Sequence, residues 1–289
     1  IVGRTGFCIK PLRDHKVITI PEFFERKFGS KVRWMSGVVI VLGGLLNMGV
    51  FLRQAGDFLA ITCGFDPKYI ELIMTVILVG IAVYTLFGGM LSVLITDYIQ
   101  FVVMSVGLLI AVILVIVMFG WQDMLEATTN HIGAASFNPF INPAYGFERI
   151  LLDVLLAFAA VITWQTMISR VLSAKDSETG RKIYQGTSPF FLVRFTLPAI
   201  LGIGALYFFG ASTFTGSTGI LAMPNLLATV VPVGLIGLLV ASMLAADMST
   251  DSSYMIAWTS VIYNDIMRPI HKGMWSEKKG LLWNIMALT

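Results

Sequence analysis

Six long apolar segments constrain the fold of this chain more than any other feature of its sequence. The segments are 34–60, 69–90, 98–119, 150–172, 188–209 and 233–254. Each offers about the 20 residues that a helix needs to cross the hydrocarbon core of a bilayer. Because a spanning helix satisfies its own backbone hydrogen bonds in lipid, the sequence predicts an all-α integral membrane protein with six full transmembrane helices. The sixth helix is expected to continue beyond the bilayer to about Tyr263.

The composition supports a surface that faces lipid rather than water. Charged residues make up 13% of the 289-residue chain and hydrophobic residues 56%, whereas soluble domains carry about 25% charged residues. The net charge of +3 is too small for a nucleic-acid-binding module. We therefore expect a multi-pass protein in the lipid bilayer of the plasma membrane, or of the inner membrane in a bacterium, with no nucleic-acid partner.

The basic residues predict which side of the membrane each connection occupies. Of the 20 Lys and Arg residues, 16 lie in the segments 1–33, 170–182 and 265–280. Six crossings place these segments on one side, which the positive-inside rule makes cytoplasmic. A fourth inner connection, without basic residues, is expected around 88–96. The outer connections are then 61–68, 120–149 and 210–232.

Three regions follow along the chain. They are a cytoplasmic segment at 1–33 with a short amphipathic helix at 21–28, a six-helix transmembrane domain with its loops at 34–280, and the start of a further, truncated helix at 281–289. Thr19 followed by Glu22 is typical of a capping box at the start of the amphipathic helix. Because the chain begins without Met and ends within an apolar stretch, we expect it to be an internal part of a longer protein.

Two charges lie deep within predicted spans. Arg194 and Asp247 are each about seven residues from the inner end of their helices, which places them roughly 10 Å inside. A charge at this depth is costly without a partner or water. We expect the two either to pair or to line an inner aqueous path. Alternatively, Arg194 extends its side chain to the cytoplasmic surface.

The most informative segment is the polar stretch 244–253 within the last span. Ala246, Ser249 and Thr250 stand at positions i, i+3 and i+4, so they share one helix face. Two hydroxyls and a freed carbonyl would provide neutral oxygen ligands, which suit a hard cation such as Na+. The alternative is that each hydroxyl only hydrogen-bonds the carbonyl four residues earlier.

Five motifs, taken in order, resemble the sodium:solute symporter family along nearly the whole chain. They are Thr19-Ile20-Pro21-Glu22-Phe23-Phe24 with Arg26, Tyr84-Thr85-Leu86-Phe87-Gly88-Gly89, Thr96-Asp97-Tyr98-Ile99-Gln100, Trp164-Gln165 with Arg170, and Ala245-Ala246-Asp247-Met248-Ser249-Thr250 followed by Asn264-Asp265-Ile266. The resemblance implies a LeuT-like fold of two inverted five-helix repeats, of which this chain would cover the fourth to ninth helices. Further helices of the full-length chain would then be needed for transport.

The resemblance also implies roles for particular residues. The Ala246 carbonyl, Ser249 and Thr250 match Na+ ligands of the ninth helix, and the remaining ligands come from a broken second helix outside this chain. Asp97 matches an aspartate associated in some members with a further sodium position or with inward release. Asp247 replaces a residue that is usually aliphatic, so Asp97 and Asp247 are candidates for a secondary ion site or release path. Asp97 could instead cap a helix N-terminus.

The candidate substrate or gate path consists of Trp164, Gln165 and Arg194. Sugar-transporting members carry Asn and a gating Tyr where this chain has Ala157 and Ala160, which disfavours a sugar. The run beginning at Trp164 is similar to choline-transporting members.

The resulting hypothesis is Na+-coupled symport of a small organic solute by alternating access, with Na+ as the coupling ion. The alternative is a membrane sensor that serves as the input domain of a signalling protein built on the same fold. An enzyme is not expected, because His15, His131 and His271 all lie outside the predicted spans and no catalytic set can be assembled from the residues within one leaflet.

Overall fold

Helices account for almost all of the chain in this computed structural model, which describes residues 2–6, 9–142 and 145–270. Within these ranges there is no β-strand. The α-helices are α1 (Val2–Thr5), α2 (Ile9–Asp14), α3 (Ile20–Phe28), α4 (Ser30–Cys63), α5 (Ile70–Phe119), α6 (Trp121–Ile132), α7 (Gly146–Thr163), α8 (Gln165–Leu172), α9 (Ser177–Phe209), α10 (Ala222–Val230), α11 (Val233–Val261) and α12 (Arg268–Ile270). Short 3₁₀ helices lie at Pro67–Tyr69, Gly133–Ala135 and Gly216–Leu221, and a π-helix, Ile262–Met267, joins α11 to α12.

The candidate membrane spans correspond to the six predicted ones. Five are long and apolar enough to cross by themselves, namely Ser30–Cys63, Pro67–Gly88, Leu91–Phe119, Ser177–Phe209 and Val233–Ile270. The sixth is a bent pair, Gly146–Ala160 with Gln165–Leu172, whose axes differ by 43°. The fourth predicted span is therefore a broken helix rather than a straight one. The predicted start of another helix at 281–289 lies outside the described residues.

The predicted inner connection around 88–96 is helical. The second and third candidate spans separate between Gly88 and Leu91, and α5 is helical from Ile70 to Phe119 across this point. The stretch contains no proline, and the Thr96 hydroxyl donates to the carbonyls of Ser92 and Val93 within the helix. The two spans are therefore joined by helix rather than by an irregular loop.

The short helix predicted at 21–28 is present. It covers Ile20–Phe28, and the Thr19 side chain accepts a hydrogen bond from the backbone N–H of Glu22. The Glu22 carboxylate in turn accepts from the backbone N–H of Ile18 at 2.8 Å. The Thr19 half of the predicted capping box is therefore formed, whereas Glu22 binds the residue before the cap instead of the Thr19 backbone N–H.

Long-range contacts bring the three basic segments to one end of the molecule. The Arg13 guanidinium donates to the carbonyls of Ala174 and Lys175 at 2.8 and 3.1 Å. The Arg33 guanidinium donates to Asp265 at 2.7 Å. These contacts join segment 1–33 to both other basic segments, as the predicted orientation requires.

An apolar core lies toward the other end, where α5, α6, α9, α10 and α11 meet. Its fully buried members include Val115, Met124, Leu201 and Leu226. Gly204 of α9 allows close approach here, because a Cβ at this position would overlap the Val115 side chain. Small residues at such contacts let helix backbones approach where lipid supplies no hydrophobic drive for association.

Candidate functional site

Three helices bring charged and hydroxyl side chains together. Asp97 comes from α5, Arg170 from α8, and Ser249 and Ser253 from α11. Arg170 Nη2 donates to Asp97 Oδ2 at 2.6 Å and also to Ser253 Oγ. Ser249 Oγ donates to the other carboxylate oxygen, Asp97 Oδ1, at 2.8 Å. The motifs that contain Asp97, Arg170 and Ser249 are far apart in sequence, and the fold places them in one hydrogen-bonded cluster.

A small cavity adjoins this cluster. Its interior volume is about 10 Å³, which is close to the room that one water molecule needs. The lining residues are Val93, Leu94, Asp97, Ser169, Arg170, Ser253 and Ile256. The Asp97 side chain is 16% exposed and that of Arg170 is 37% exposed, so the pair lies at the edge of the interior.

The alternative in which Asp97 caps a helix is wrong. Asp97 lies well inside α5, between Thr96 and Tyr98, with helix on both sides. Its carboxylate is bound by side chains of α8 and α11 rather than by backbone N–H groups of a helix start. Asp97 therefore acts between helices.

The two hydroxyls predicted to bind Na+ point in different directions. Thr250 Oγ1 donates to the carbonyl of Ala246 at 2.9 Å, so these two oxygens are adjacent. The Ser249 hydroxyl instead points to Asp97. The Thr250 contact is also the backbone bond that we considered as the alternative to ion binding. A hydroxyl that donates its proton keeps its oxygen lone pairs, so both contacts leave ligand capacity for a cation.

Gln165 and Trp164 occupy the break between α7 and α8. The fully buried Gln165 accepts from the backbone N–H of Ile20 at 2.9 Å and donates to the carbonyl of Ile18 at 3.3 Å. The Trp164 ring packs edge-on against Trp258 of α11. Gln165 thus joins the break to α3, whereas Trp164 faces the interior.

The structure does not join Arg194 to Asp247. Arg194 is exposed on α9, and its guanidinium lies over the Phe191 ring at 5.9 Å. Asp247 is 4% exposed, and its Oδ2 has no hydrogen-bond partner within the described part of the chain. The hypothesis of an Arg194–Asp247 pair is therefore wrong in this conformation, because no ion pair or hydrogen bond joins the two side chains.

Sequence reasoning missed three residues at or near the site. Arg170 was recognised only as part of a motif, and Ser253 and Asp251 were not singled out. The signal for the last two was their spacing, since Ser253 follows Ser249 by four residues and Asp251 follows Asp247 by four. Nothing in the sequence indicated that Arg170 would reach both Asp97 and Ser253.

The chain resembles proteins of known function over most of its length. It is 27% identical over 295 residues to sodium/glucose cotransporter 4 of Danio rerio, which covers 88% of this chain and 43% of that protein. It is 26% identical over 269 residues to the high-affinity proline transporter PutP of Bacillus subtilis, which covers 91% of this chain and 55% of the transporter. The chain thus spans about half the length of these curated relatives.

A solved structure shows the same fold. It is that of a Na+-coupled sialic acid symporter in a substrate-bound, outward-open state, described as revealing a novel Na+ site. The TM-score is 0.79 at 19% identity, with 96% of this chain and 60% of that chain covered. The fold is therefore LeuT-like. The model of the sodium:solute symporter family matches residues 4–289, and this chain belongs to that family.

Proposed function

We propose that the protein containing this chain is a Na+-coupled symporter that moves a small organic solute across the plasma membrane by alternating access. The observation that carries the proposal is the cluster of Asp97, Arg170, Ser249 and Ser253 across three helices. The family model and the transporter relatives favour this function over a sensor and over an enzyme.

Two adjacent Na+ positions follow from the side chains. The first would use the Ala246 carbonyl and the hydroxyls of Ser249 and Thr250, which are hard oxygen ligands suited to Na+. The second would use the Asp97 carboxylate with Ser249 and Ser253. Ser249 belongs to both sets, so an ion at one position would affect the other through this shared hydroxyl.

Arg170 provides a way to release the second ion. Its guanidinium already occupies Asp97 Oδ2, so Na+ at Asp97 and Arg170 compete for the same carboxylate. With Na+ present, Arg170 would withdraw from Asp97 and Ser253 toward the adjoining cavity. When Na+ leaves to the cytoplasm, Arg170 would return and keep the carboxylate paired, which avoids an isolated buried charge.

We assign the solute only to a chemical class, that of small organic molecules. The relatives named above act on glucose and proline, and the structural neighbour on sialic acid. These molecules share small size and polar groups rather than one chemical signature. We infer that helices outside this chain supply the remaining Na+ ligands and much of the solute pocket.

The test is Na+-driven solute uptake into proteoliposomes that contain the complete polypeptide, with a panel of amino acids, sugars and quaternary amines. Ser249→Ala and Thr250→Ala should each raise the Na+ concentration for half-maximal uptake at least about tenfold, equivalent to about 1.4 kcal/mol of lost ion binding.

Thr196→Ala is a matched control. Thr196 makes the same backbone bond to the residue four positions earlier, at 2.8 Å, but it is exposed on α9. Its substitution should leave the Na+ dependence unchanged. If Ser249→Ala and Thr250→Ala both behave like Thr196→Ala, the proposed Na+ position is wrong.

A further inference from the structure

A buried pair of carboxylates on α11 takes no part in the sites proposed above. Asp247 and Asp251 are four residues apart, so they lie one turn apart on the same helix face. The two residues are 4% and 0% exposed. Oδ2 of Asp247 and both carboxylate oxygens of Asp251 are buried without a hydrogen-bond partner among residues 2–6, 9–142 and 145–270.

This pair faces away from Ser249 and Asp97. Each aspartate is two residues from Ser249, which corresponds to a rotation of about 200° around the helix axis. Ser249 points to α5 and α8, where it binds Asp97. The acid pair therefore lies on the opposite side of α11 from Ser249, whereas Thr250, three residues after Asp247, borders both faces.

The same face of α11 continues with Tyr254 and Trp258, and their contacts show what it packs against. The Tyr254 hydroxyl accepts a hydrogen bond from Asn47 of α4 at 2.8 Å. The Trp164 ring lies 5.8 Å from the Tyr254 ring and 5.9 Å from the Trp258 ring, between centroids. The face therefore packs on α4 and on the break between α7 and α8.

No basic side chain in the described part of the chain pairs with these carboxylates. Arg53 of α4 is bound to Asp57 at 3.0 Å, and Arg170 is bound to Asp97 on the other side of α11. Neither Asp247 nor Asp251 takes part in any ion pair of the described residues. Two adjacent buried carboxylates within a membrane span are costly unless something binds them.

We propose that Asp247 and Asp251 bind one monovalent cation, on the opposite side of α11 from Ser249 and Asp97. Carboxylate oxygens are ligands for a hard cation such as Na+, and their negative charge also attracts an organic ammonium group. The rings of Tyr254, Trp258 and Trp164 on the same face would favour an organic cation further. The occupant is therefore Na+ or the ammonium group of a solute, and its route into the membrane rests on the proposed transport function.

The test is equilibrium binding to the purified complete polypeptide, with ²²Na+ and tetramethylammonium as probes. The variants are Asp247→Asn, Asp251→Asn and the double variant, with the exposed Asp153→Asn as control. If the occupant is Na+, the double variant should bind one ²²Na+ fewer per protein than the wild type. If it is an ammonium group, tetramethylammonium should bind the wild type at least about tenfold more tightly than the double variant, and neutral tert-butanol should bind neither.

A measurement on the wild type complements the variants. A hydrophobic carbodiimide labels carboxyl groups buried in membrane proteins, and mass spectrometry locates the product. Saturating Na+ or tetramethylammonium should slow labelling of Asp251 at least about tenfold while leaving Asp153 unaffected.

The inference is overturned if neither probe distinguishes the double variant from the wild type, or if neither probe protects Asp251. In that case Na+-driven uptake by the wild type can still be intact, and the proposed function stands. Conversely, binding at the acid pair without Na+-driven uptake would overturn the proposed function and leave this site in place.

Discussion

One guanidinium dominates the electrostatics of the proposed ion site. Arg170 holds both Asp97 and Ser253, while Ser249 holds the remaining oxygen of Asp97. Hydrogen bonds between charged partners are roughly twice as strong as neutral ones. The cluster is therefore a unit in which removal of one member leaves the others unsatisfied.

A double-mutant cycle tests this coupling. Arg170→Gln and Asp97→Asn should each lower the free energy of unfolding by about 1–3 kcal/mol, because each leaves a partly buried partner unsatisfied. The free energy of unfolding of the double variant should fall by less than the sum of the two single losses. The difference is the coupling free energy, about 0.5–3 kcal/mol. Thermal unfolding of the purified protein, without Na+, measures the three values.

The exposed pair of Arg149 and Asp153, joined at 3.2 Å, is the control for this cycle. Surface pairs contribute about 0–1 kcal/mol, so its coupling should be close to zero. Additive losses at Arg170 and Asp97, like those at the control pair, would contradict the coupled cluster.

The proposed Na+ ligands show which contacts of single residues could be predicted from the sequence. The spacing of Ala246, Ser249 and Thr250 put them on one helix face, and Ala246 and Thr250 are adjacent in the structure. The sequence could not indicate that Ser249 turns to Asp97, because that contact joins positions 152 residues apart. The periodicity of one helix indicates which of its residues share a face. It does not indicate which residues of other helices lie opposite that face.

At the level of elements, the break between α7 and α8 is joined to the short cytoplasmic helix α3. Gln165, the first residue of α8, binds both Ile18 and Ile20 around the start of α3. Gln165 therefore couples the position of the break to that of α3.

Gln165→Leu should loosen α3 while preserving the volume of the side chain. The backbone N–H of Ile20 and the carbonyl of Ile18 would lose their partners, at a cost of about 1–3 kcal/mol. Amide hydrogen exchange should accelerate at least about tenfold across Ile20–Phe28. Mass spectrometry of peptic peptides measures this rate.

Gln122→Leu on α6 is a suitable control, because Gln122 is exposed at the opposite end of the molecule. It should leave exchange in α3 unchanged. Equal exchange in α3 for the wild type and Gln165→Leu would mean that other contacts hold the helix in place.

At the scale of the whole molecule, Arg33 joins three parts of the cytoplasmic end. It donates to Glu25 of α3 at 2.6 Å and to Asp265 and the Asn264 carbonyl in the π-helix after α11, at 2.7 and 3.0 Å. Asp265 is fully buried, and the Arg33 side chain is 15% exposed. The contact therefore ties the π-helix after α11 to α4, the first long helix.

Arg33→Met should destabilise the protein by about 3–5 kcal/mol, because it leaves the buried Asp265 charge without its partner. The double variant Arg33→Met/Asp265→Leu should recover a large part of this loss, since no buried charge remains. Thermal unfolding measures both.

The exposed pair of Arg53 and Asp57 again offers a comparison, with the Arg53 side chain 56% exposed. Arg53→Met should cost less than about 1 kcal/mol. If Arg33→Met costs no more than Arg53→Met, Arg33 does not hold the cytoplasmic end together.

The sequence by itself determined the membrane class, the six candidate spans, the shared side of the basic segments and the cap at Thr19. These features are local, since they depend on the length, polarity and spacing of residues along one stretch of chain. Tertiary structure alone decided that Arg170 reaches Asp97, that Arg194 and Asp247 stay apart, and that Asp247 and Asp251 are buried without partners. Each of these depends on which helix faces lie opposite one another, and helical packing is set by the summed contacts of all the spans rather than by any one of them.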